Sequence, residues 1–193
     1  MRYEVRSERG GAVRILGVRE RRVPISRYAT GDATGGDLDT TAVAVVTDVL
    51  RDGEPVVGFG FSSIGRFGQG GLIRERFAPR LVAAADAVAS ASGGGIDPFR
   101  AWDHMMRGEK PGGHGERCVA VGTLDMALWD AAAKIADRPL HAFLAAATGA
   151  SGSAARVPVY AGGGYYFADG DIGRLTDEVR GFLDGATPMS RSR

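Results

Sequence analysis

The segment between Arg117 and Ala136 constrains the fold more than any other part of the sequence. Its apolar residues recur every three or four positions, which predicts a helix. Because they cover most of the circumference, this helix must be surrounded by other elements on several sides. One stripe comprises Val121, Leu124, Leu128, Ala132 and Ile135, and Met126, Trp129 and Ala133 widen it.

The N-terminal third predicts a small antiparallel sheet. Residues 12–25, 40–50 and 55–61 are rich in β-branched side chains, which is typical of strands. Asp52 and Gly53 join the second strand to the third, and an Asp-Gly pair between two strands predicts a tight hairpin turn. Polar loops at 26–39 and 62–71 interrupt the sheet.

Helical patterns run through the middle of the chain. Pro79 is expected to kink or divide the first of them, because proline lacks an N–H and its ring clashes with the preceding turn. Asp97 is expected to cap the second, with Pro98 at its first helical position. The predicted helices cover 72–89, 97–108 and 139–146, and the expected core includes Phe77, Leu81, Leu124, Leu128 and Trp129.

Composition excludes several functional classes. Lys and Arg total 24 and Asp and Glu total 23, so no net charge favours nucleic acid or a membrane surface. No window has the apolar length of a membrane span, and the first residues lack a signal-peptide core. Cys118, the only cysteine, rules out a disulfide framework and is expected to be a small core residue. The sequence therefore predicts a cytoplasmic protein that binds neither nucleic acid nor a membrane.

Two glycine-rich stretches resemble nucleotide-binding motifs but fail on spacing. Lys110 precedes its glycines, whereas a phosphate-binding loop places the lysine after them. The stretch 58–63 has Ser63 where a dinucleotide fingerprint requires its third glycine. Neither stretch therefore predicts a nucleotide site.

The remaining polar residues suggest few sites by themselves. His104 and His141 lack metal-ligand spacing and are expected at helix surfaces or between helices. Asp125 and Asp130 are expected to be capping or ion-pair residues. His114 shares a glycine-rich loop with Lys110, and spacing alone leaves open whether this pair binds a ligand.

The order of the elements is more informative than any single motif. An antiparallel sheet leads into a helical segment ending in GTLDMALWDAAAKIADRPLHAFLA, and a small polar linker then precedes VPVYAGGG. From about residue 12 to 185 the chain resembles the enolase superfamily, in its mandelate racemase/muconate lactonizing enzyme group. Within that group, GFGFSSIGRFGQGGLIRERFAPRL, EKPGGHGERCVAVGT and VYAGGGYYF are most similar to the D-tartrate dehydratase-like branch.

The resemblance implies an α+β fold with an enolase-like capping domain at residues 1–148. A linker at 149–156 would lead to the first βα unit of a (β/α)8 barrel at 157–185, with Leu175, Val179, Phe182 and Leu183 of its helix facing inward. Residues 186–193 are expected to be a disordered tail. A complete barrel needs about 250 residues, so the barrel is expected to be incomplete and the chain truncated.

The resemblance also implies a reaction. Such enzymes are Mg²⁺-dependent hydro-lyases that remove the proton next to a carboxylate of a sugar acid or hydroxy-diacid and then eliminate water. The base and the Mg²⁺ ligands would lie on later barrel strands, so no catalytic or metal-binding residue is expected here and the chain alone should be inactive. Full-length members are homo-oligomers, and the partner is a small carboxylic acid.

By the same resemblance, loops of the cap and the first barrel strand line the substrate pocket. Lys110 would bind the acid and Tyr165 a hydroxyl, although one of the neighbouring aromatic residues could instead pack under the cap. The other implied pocket residues are His114, Arg66 and Ser63. Ile64 replaces an asparagine of the tartrate-specific pattern, so the acid is left open.

Two alternatives are left open. The cap is shared by racemases and cycloisomerases, so the reaction need not be a dehydration. A cap without its barrel could also serve as a non-catalytic module that binds a partner through exposed apolar surface.

Overall fold

A computed structural model of the chain describes residues 5–7, 11–24, 39–62, 68–112, 115–150, 158, 160 and 170–185. The chain divides into two compact units, residues 1–25 with 37–153 and residues 26–36 with 154–193. The strands are β1 (Val5–Ser7), β2 (Ile15–Pro24), β3 (Asp39–Arg51) and β4 (Glu54–Phe61). The α-helices are α1 (Gln69–Leu72), α2 (Ala78–Ala83), α3 (Pro98–Met106), α4 (Glu116–Ile135), α5 (Leu140–Ala147) and α6 (Asp171–Gly185).

The first unit contains the predicted antiparallel sheet, with β3 as its central strand. Both β2 and β4 pair with β3 along most of its length, and the short β1 pairs with its last three residues. Asp52 and Gly53 join β3 to β4 with φ angles of 55° and 84°. Two successive positive φ angles are the mark of the tight turn that suits the twist of a hairpin, so the hairpin prediction is confirmed.

One face of this sheet is covered by helices. Alternate residues of β3 are buried, as expected for a strand with one face toward a core. The long helix α4 packs against β4 and β3 on that face, so the prediction of a central, surrounded helix is confirmed. The buried set includes Val43, Val45, Phe77, Leu81, Leu124 and Leu128.

Gly58 and Gly60 allow β4 and α4 to approach each other closely. A Cβ atom added to Gly58 would lie 2.0 Å from the carbonyl oxygen of Ala127, and one added to Gly60 would lie 2.4 Å from that of Thr123. Real side-chain atoms cannot occupy such positions. The glycine pattern that resembles part of a dinucleotide fingerprint therefore serves helix–strand packing.

Charged side chains of α4 cover the outer edge of β4. The carboxylate of Asp130 accepts a hydrogen bond of 2.8 Å from the Phe59 N–H, and Lys134 Nζ donates one of 3.0 Å to the Val57 carbonyl. Asp130 and Lys134 also pair with each other at 2.6 Å. This pair satisfies backbone groups that a neighbouring strand would otherwise bind, which protects the sheet edge. The ion-pair prediction for Asp130 is confirmed.

The helical segment after β4 is divided near Pro79, as predicted. A π-helical turn at Ile73–Phe77 separates α1 from α2, and the Ala78 N–H bonds to the Ile73 carbonyl across this wider turn. Pro79 lies in the first turn of α2. A 3₁₀ turn at Ala85–Val88 follows.

Asp97 caps α3 as predicted, accepting hydrogen bonds from the Phe99 and Arg100 N–H groups at 3.0 and 3.2 Å. This cap fixes the start of α3 and therefore the positions of its aromatic side chains.

Two predictions of burial on α4 are wrong and one is correct only in part. Cys118 and Met126 are exposed, because with Gly122 they form a stripe at four-residue spacing on the face of α4 turned to solvent. Trp129 is half-buried, and its ring meets Phe99 edge to face with the centroids 5.2 Å apart.

In the second unit the structure describes mainly α6, which has the predicted bounds. The four side chains expected to face inward are exposed, Leu183 by 71%. The predicted strand at 157–163 and the linker at 149–156 lie largely outside the described residues, and the tail at 186–193 lies wholly outside them. The barrel unit therefore stays a prediction. None of the described helices has the length and apolar character needed to cross a membrane.

Candidate functional site

Lys110 is the one predicted site residue whose position the structure describes. It lies in the loop between α3 and α4, and it is exposed. The other predicted site residues, Ser63, Arg66, His114 and Tyr165, lie outside the described residues. The site is therefore built from Lys110 and from the described flanks of the loops that carry the others.

Arg117, in the first turn of α4, holds the backbone of the Lys110 loop. Its guanidinium donates a hydrogen bond of 2.8 Å to the Lys110 carbonyl and another to the Gly112 carbonyl. These bonds fix the main chain on both sides of Pro111 while the Lys110 side chain remains exposed. No carboxylate in the described part of the chain lies within salt-bridge distance of its ammonium group. The loop therefore presents the positive charge of Lys110 on a backbone that Arg117 holds in place.

Glu109 is the centre of the charged cluster beneath this loop. Its carboxylate lies 2.8 Å from Arg76, 2.9 Å from Arg80 and 3.4 Å from Arg117, and its side chain is only 4% exposed. The hydrogen bond from Arg76 lowers the pKa of Glu109 below its ordinary value, and the charges of Arg76 and Arg80 add to this effect although burial opposes it. One carboxylate surrounded by three guanidinium groups leaves the cluster with a net positive charge.

This cluster was not predicted from the sequence. Arg76 and Glu109 are 33 residues apart and lie in different elements, so no local spacing connects them. The one available signal is the sequence IRERFAPR, whose arginines recur along one helical segment.

A buried polar network holds the described residues on either side of positions 63–67. The Ser62 hydroxyl accepts a hydrogen bond of 2.9 Å from the Thr41 N–H, and Gln69 Nε2 donates bonds of 2.9 and 3.2 Å to the hydroxyls of Thr41 and Ser62. All three side chains are buried. Buried polar networks of this kind rigidify the elements that they join. Ser62 and Gln69, which flank the predicted loop with Ser63 and Arg66, are thus fixed to β3.

Gly68, which follows positions 63–67, and Gly115, which follows the Lys110 loop, both lie at the N-terminal end of α4. A Cβ atom added to Gly68 would lie 3.2 Å from the Glu116 side chain at the start of α4. Gly115 directly precedes that helix. The positive end of the α4 dipole and the arginine cluster both favour an anion here, and the Glu116 carboxylate in the first turn offsets part of this effect. The arrangement suits the capture of a carboxylate.

The described residues supply little else for chemistry. They contain no group of three or more His, Cys, Asp or Glu side chains that could hold a metal ion. His104 is partly buried on α3 and His141 is exposed on α5, which agrees with the surface and interhelix positions expected for them. The site as described can bind and orient an acid.

No protein-family model matches the sequence. The chain is similar in structure to a mandelate racemase/muconate lactonizing enzyme-like protein from Rubrobacter xylanophilus, with a TM-score of 0.56 and 24% sequence identity. The similarity covers 90% of this chain and 42% of that protein, so the chain spans less than half of the length of the structure that it matches. This likeness shows a shared fold, and the antiparallel sheet covered by helices is consistent with an enolase-like capping domain.

Proposed function

We propose that this chain is the capping part of an enzyme of the mandelate racemase/muconate lactonizing enzyme group. In this proposal the part of the cap around the N-terminal end of α4 captures a small carboxylic acid, and the Lys110 ammonium contacts the carboxylate of that acid directly. The observation that supports it most is the Arg117 clamp, which fixes the Lys110 backbone and leaves its side chain exposed. An ammonium group held on a fixed loop pairs with a carboxylate at a lower entropic cost than one on a mobile loop.

The positive cluster behind Lys110 supports the same role. Glu109 compensates only one of its three arginines, so the field near the loop attracts anions. A hydroxy-diacid or a sugar acid would meet cations from the cap on one side. Ser63, Arg66, His114 and Tyr165 are proposed to add polar contacts to its hydroxyl and carboxylate groups.

The proposed reaction is the removal of the proton next to the carboxylate, followed by elimination of water. In that reaction a bound Mg²⁺ would stabilise the negative charge that develops on the carboxylate. The described residues do not fit a Mg²⁺ site, because no group of three potential ligands occurs among them. We therefore assign to them substrate capture only, and we propose that the chain by itself does not turn over a sugar acid in the presence of Mg²⁺.

The lysine content of the chain provides a direct test. Lys110 and Lys134 are its two lysines, and Lys134 is bound to Asp130, so it serves as an internal reference. After ¹³C-methylation of the lysines, which preserves their charge, titration with D-tartrate should shift the NMR signal of Lys110 and leave that of Lys134 unchanged. Lys110→Met should weaken binding of the diacid at least threefold, since one ion pair contributes about 1 kcal/mol at an exposed site.

Arg107→Gln is the matched control, because it removes an exposed positive charge three residues from Lys110. It should leave binding of the diacid within a factor of two of wild type. If the Lys110 signal does not move at tens of millimolar diacid, or if both variants weaken binding equally, the proposed role of Lys110 is wrong.

A further inference from the structure

A second site lies between α3 and α4, away from the Lys110 loop. It is a cleft of about 440 Å³ lined by Pro98, Phe99, Trp102, Asp103, Asp125 and Trp129. Its volume is in the range of small-ligand sites. Asp125 lies nine residues into α4, about 14 Å along the helix from Glu116 at 1.5 Å per residue. The cleft is therefore distinct from the candidate acid-binding end of α4.

The walls of this cleft are aromatic and unusually exposed. Phe99 is 55% exposed and Trp102 is 45% exposed, although both rings could bury large apolar areas. Trp129 is held in place by edge-to-face contacts with Phe99 on one side and Phe143 on the other. The exposed rings of Phe99 and Trp102 beside the fixed ring of Trp129 offer aromatic surface to a ligand.

The polar groups of the cleft are carboxylates. Asp103 follows Trp102 on α3, and Asp125 lies one helical turn before Trp129 on the same face of α4. Burial raises the pKa of Asp125, although the neighbouring Trp129 indole N–H opposes this effect. No basic side chain in the described part of the chain forms a salt bridge with either carboxylate. Two acids and three aromatic rings therefore line one cleft, and none of the described residues that line it is basic.

We propose that this cleft binds a small organic ammonium ion. The alkylated nitrogen would lie against the indole faces of Trp102 and Trp129, and Asp103 and Asp125 would supply the opposite charge. An apolar ligand would gain nothing from the two carboxylates, and an anion would be repelled by them. This site goes beyond the proposed capture of a carboxylic acid, because it has the opposite charge preference and lies at another part of α4.

The chain carries its own probe for this site. Trp102 and Trp129 are its two tryptophans, and both line the cleft, so intrinsic fluorescence reports on its occupancy. Choline should change the fluorescence saturably, with a dissociation constant on the order of 1–10 mM. Its uncharged carbon isostere, 3,3-dimethylbutan-1-ol, should bind at least tenfold more weakly, and sodium chloride at the same ionic strength should produce no saturable change.

Three variants test the assignment to these residues. Asp103→Asn and Asp125→Asn should each weaken choline binding about fivefold, because each removes one carboxylate charge and keeps the shape of the side chain. Asp52→Asn is the matched control in the exposed hairpin turn, and it should bind choline like wild type. Circular dichroism establishes that each variant is folded before it is titrated.

The proposal is overturned if the isostere binds as tightly as choline, since the cleft would then be merely apolar. It is also overturned if no saturable signal occurs up to about 100 mM choline, which is ten times the largest dissociation constant expected from cation–π contacts. A third refuting result is that Asp52→Asn weakens binding as much as Asp125→Asn. None of these results depends on whether Lys110 binds a carboxylate.

Discussion

Replacing Gly58 by alanine should destabilise this protein more than any other single methyl group added to the sheet. The new Cβ would lie 2.0 Å from the Ala127 carbonyl oxygen, 2.6 Å from the Ala131 nitrogen and 2.7 Å from the Ala131 Cβ. Two of these three contacts are with the helix backbone, which no change of rotamer can relieve. Helix α4 must therefore move away from β4 by on the order of 1.5 Å to restore a normal contact distance.

The cost can be estimated from the interactions that such a movement breaks. Overpacking of a core typically costs about 1–3 kcal/mol. The hydrogen bonds from Phe59 to Asp130 and from Lys134 to Val57 cross the same interface at 2.8 and 3.0 Å, and each contributes about 1 kcal/mol net. The total of about 4 kcal/mol is a large share of the 5–15 kcal/mol that stabilises a typical domain.

Urea unfolding followed by circular dichroism measures this effect. Gly58→Ala should lower the free energy of unfolding by about 4 kcal/mol and the melting temperature by roughly 10 °C. Gly60→Ala should be destabilising but less so, because its Cβ would lie 2.4 Å from the Thr123 carbonyl oxygen.

Gly122→Ala is the matched control on α4, where an added Cβ has no atom within 4 Å. Because alanine is the better helix former, this variant should gain up to about 1 kcal/mol. If Gly58→Ala unfolds at the same urea concentration as wild type, the close contact between β4 and α4 does not exist and the packing argument is refuted.

Two further predictions follow from the charged groups. Glu109→Gln should lower the free energy of unfolding at pH 7 by about 2 kcal/mol, because it leaves three guanidinium groups without the buried carboxylate that they share. Because the pKa of folded Glu109 is lowered, its contribution to stability is complete above the ordinary value of 4.5 and is lost as the pH falls through the folded value. The urea midpoints of the variant and wild type should therefore approach each other as the pH is lowered below 4.5, and a difference that does not shrink contradicts the ion-pair account. Asp130→Ala should expose the Phe59 N–H. Its hydrogen exchange should accelerate about tenfold relative to that of the Val43 amide, because the lost hydrogen bond contributes about 1.4 kcal/mol. Unchanged exchange at Phe59 would show that Asp130 does not protect the edge of β4.

The sequence by itself determined the elements whose signals are local. The Asp52-Gly53 turn, the Asp97 cap and the break at Pro79 each depend on a few neighbouring residues and on backbone geometry that those residues favour in any protein. The apolar periodicity of residues 117–136 likewise required a surrounded helix, because a wide apolar surface is stable only when neighbours cover it. These predictions agree with the structure, except that Cys118 and Met126, which were expected in the core, are exposed.

Only the tertiary structure decided which residues far apart in the chain meet. Gly58 lies against Ala127, Phe59 is bound by Asp130, and Glu109 is held by Arg76, and none of these pairs has a spacing that a local pattern can reveal. The same holds for Trp102 and Asp125, which line one cleft from two different helices. Such contacts depend on how the helices cross the sheet and each other, because the crossing is set by the fit of whole surfaces and not by any one residue.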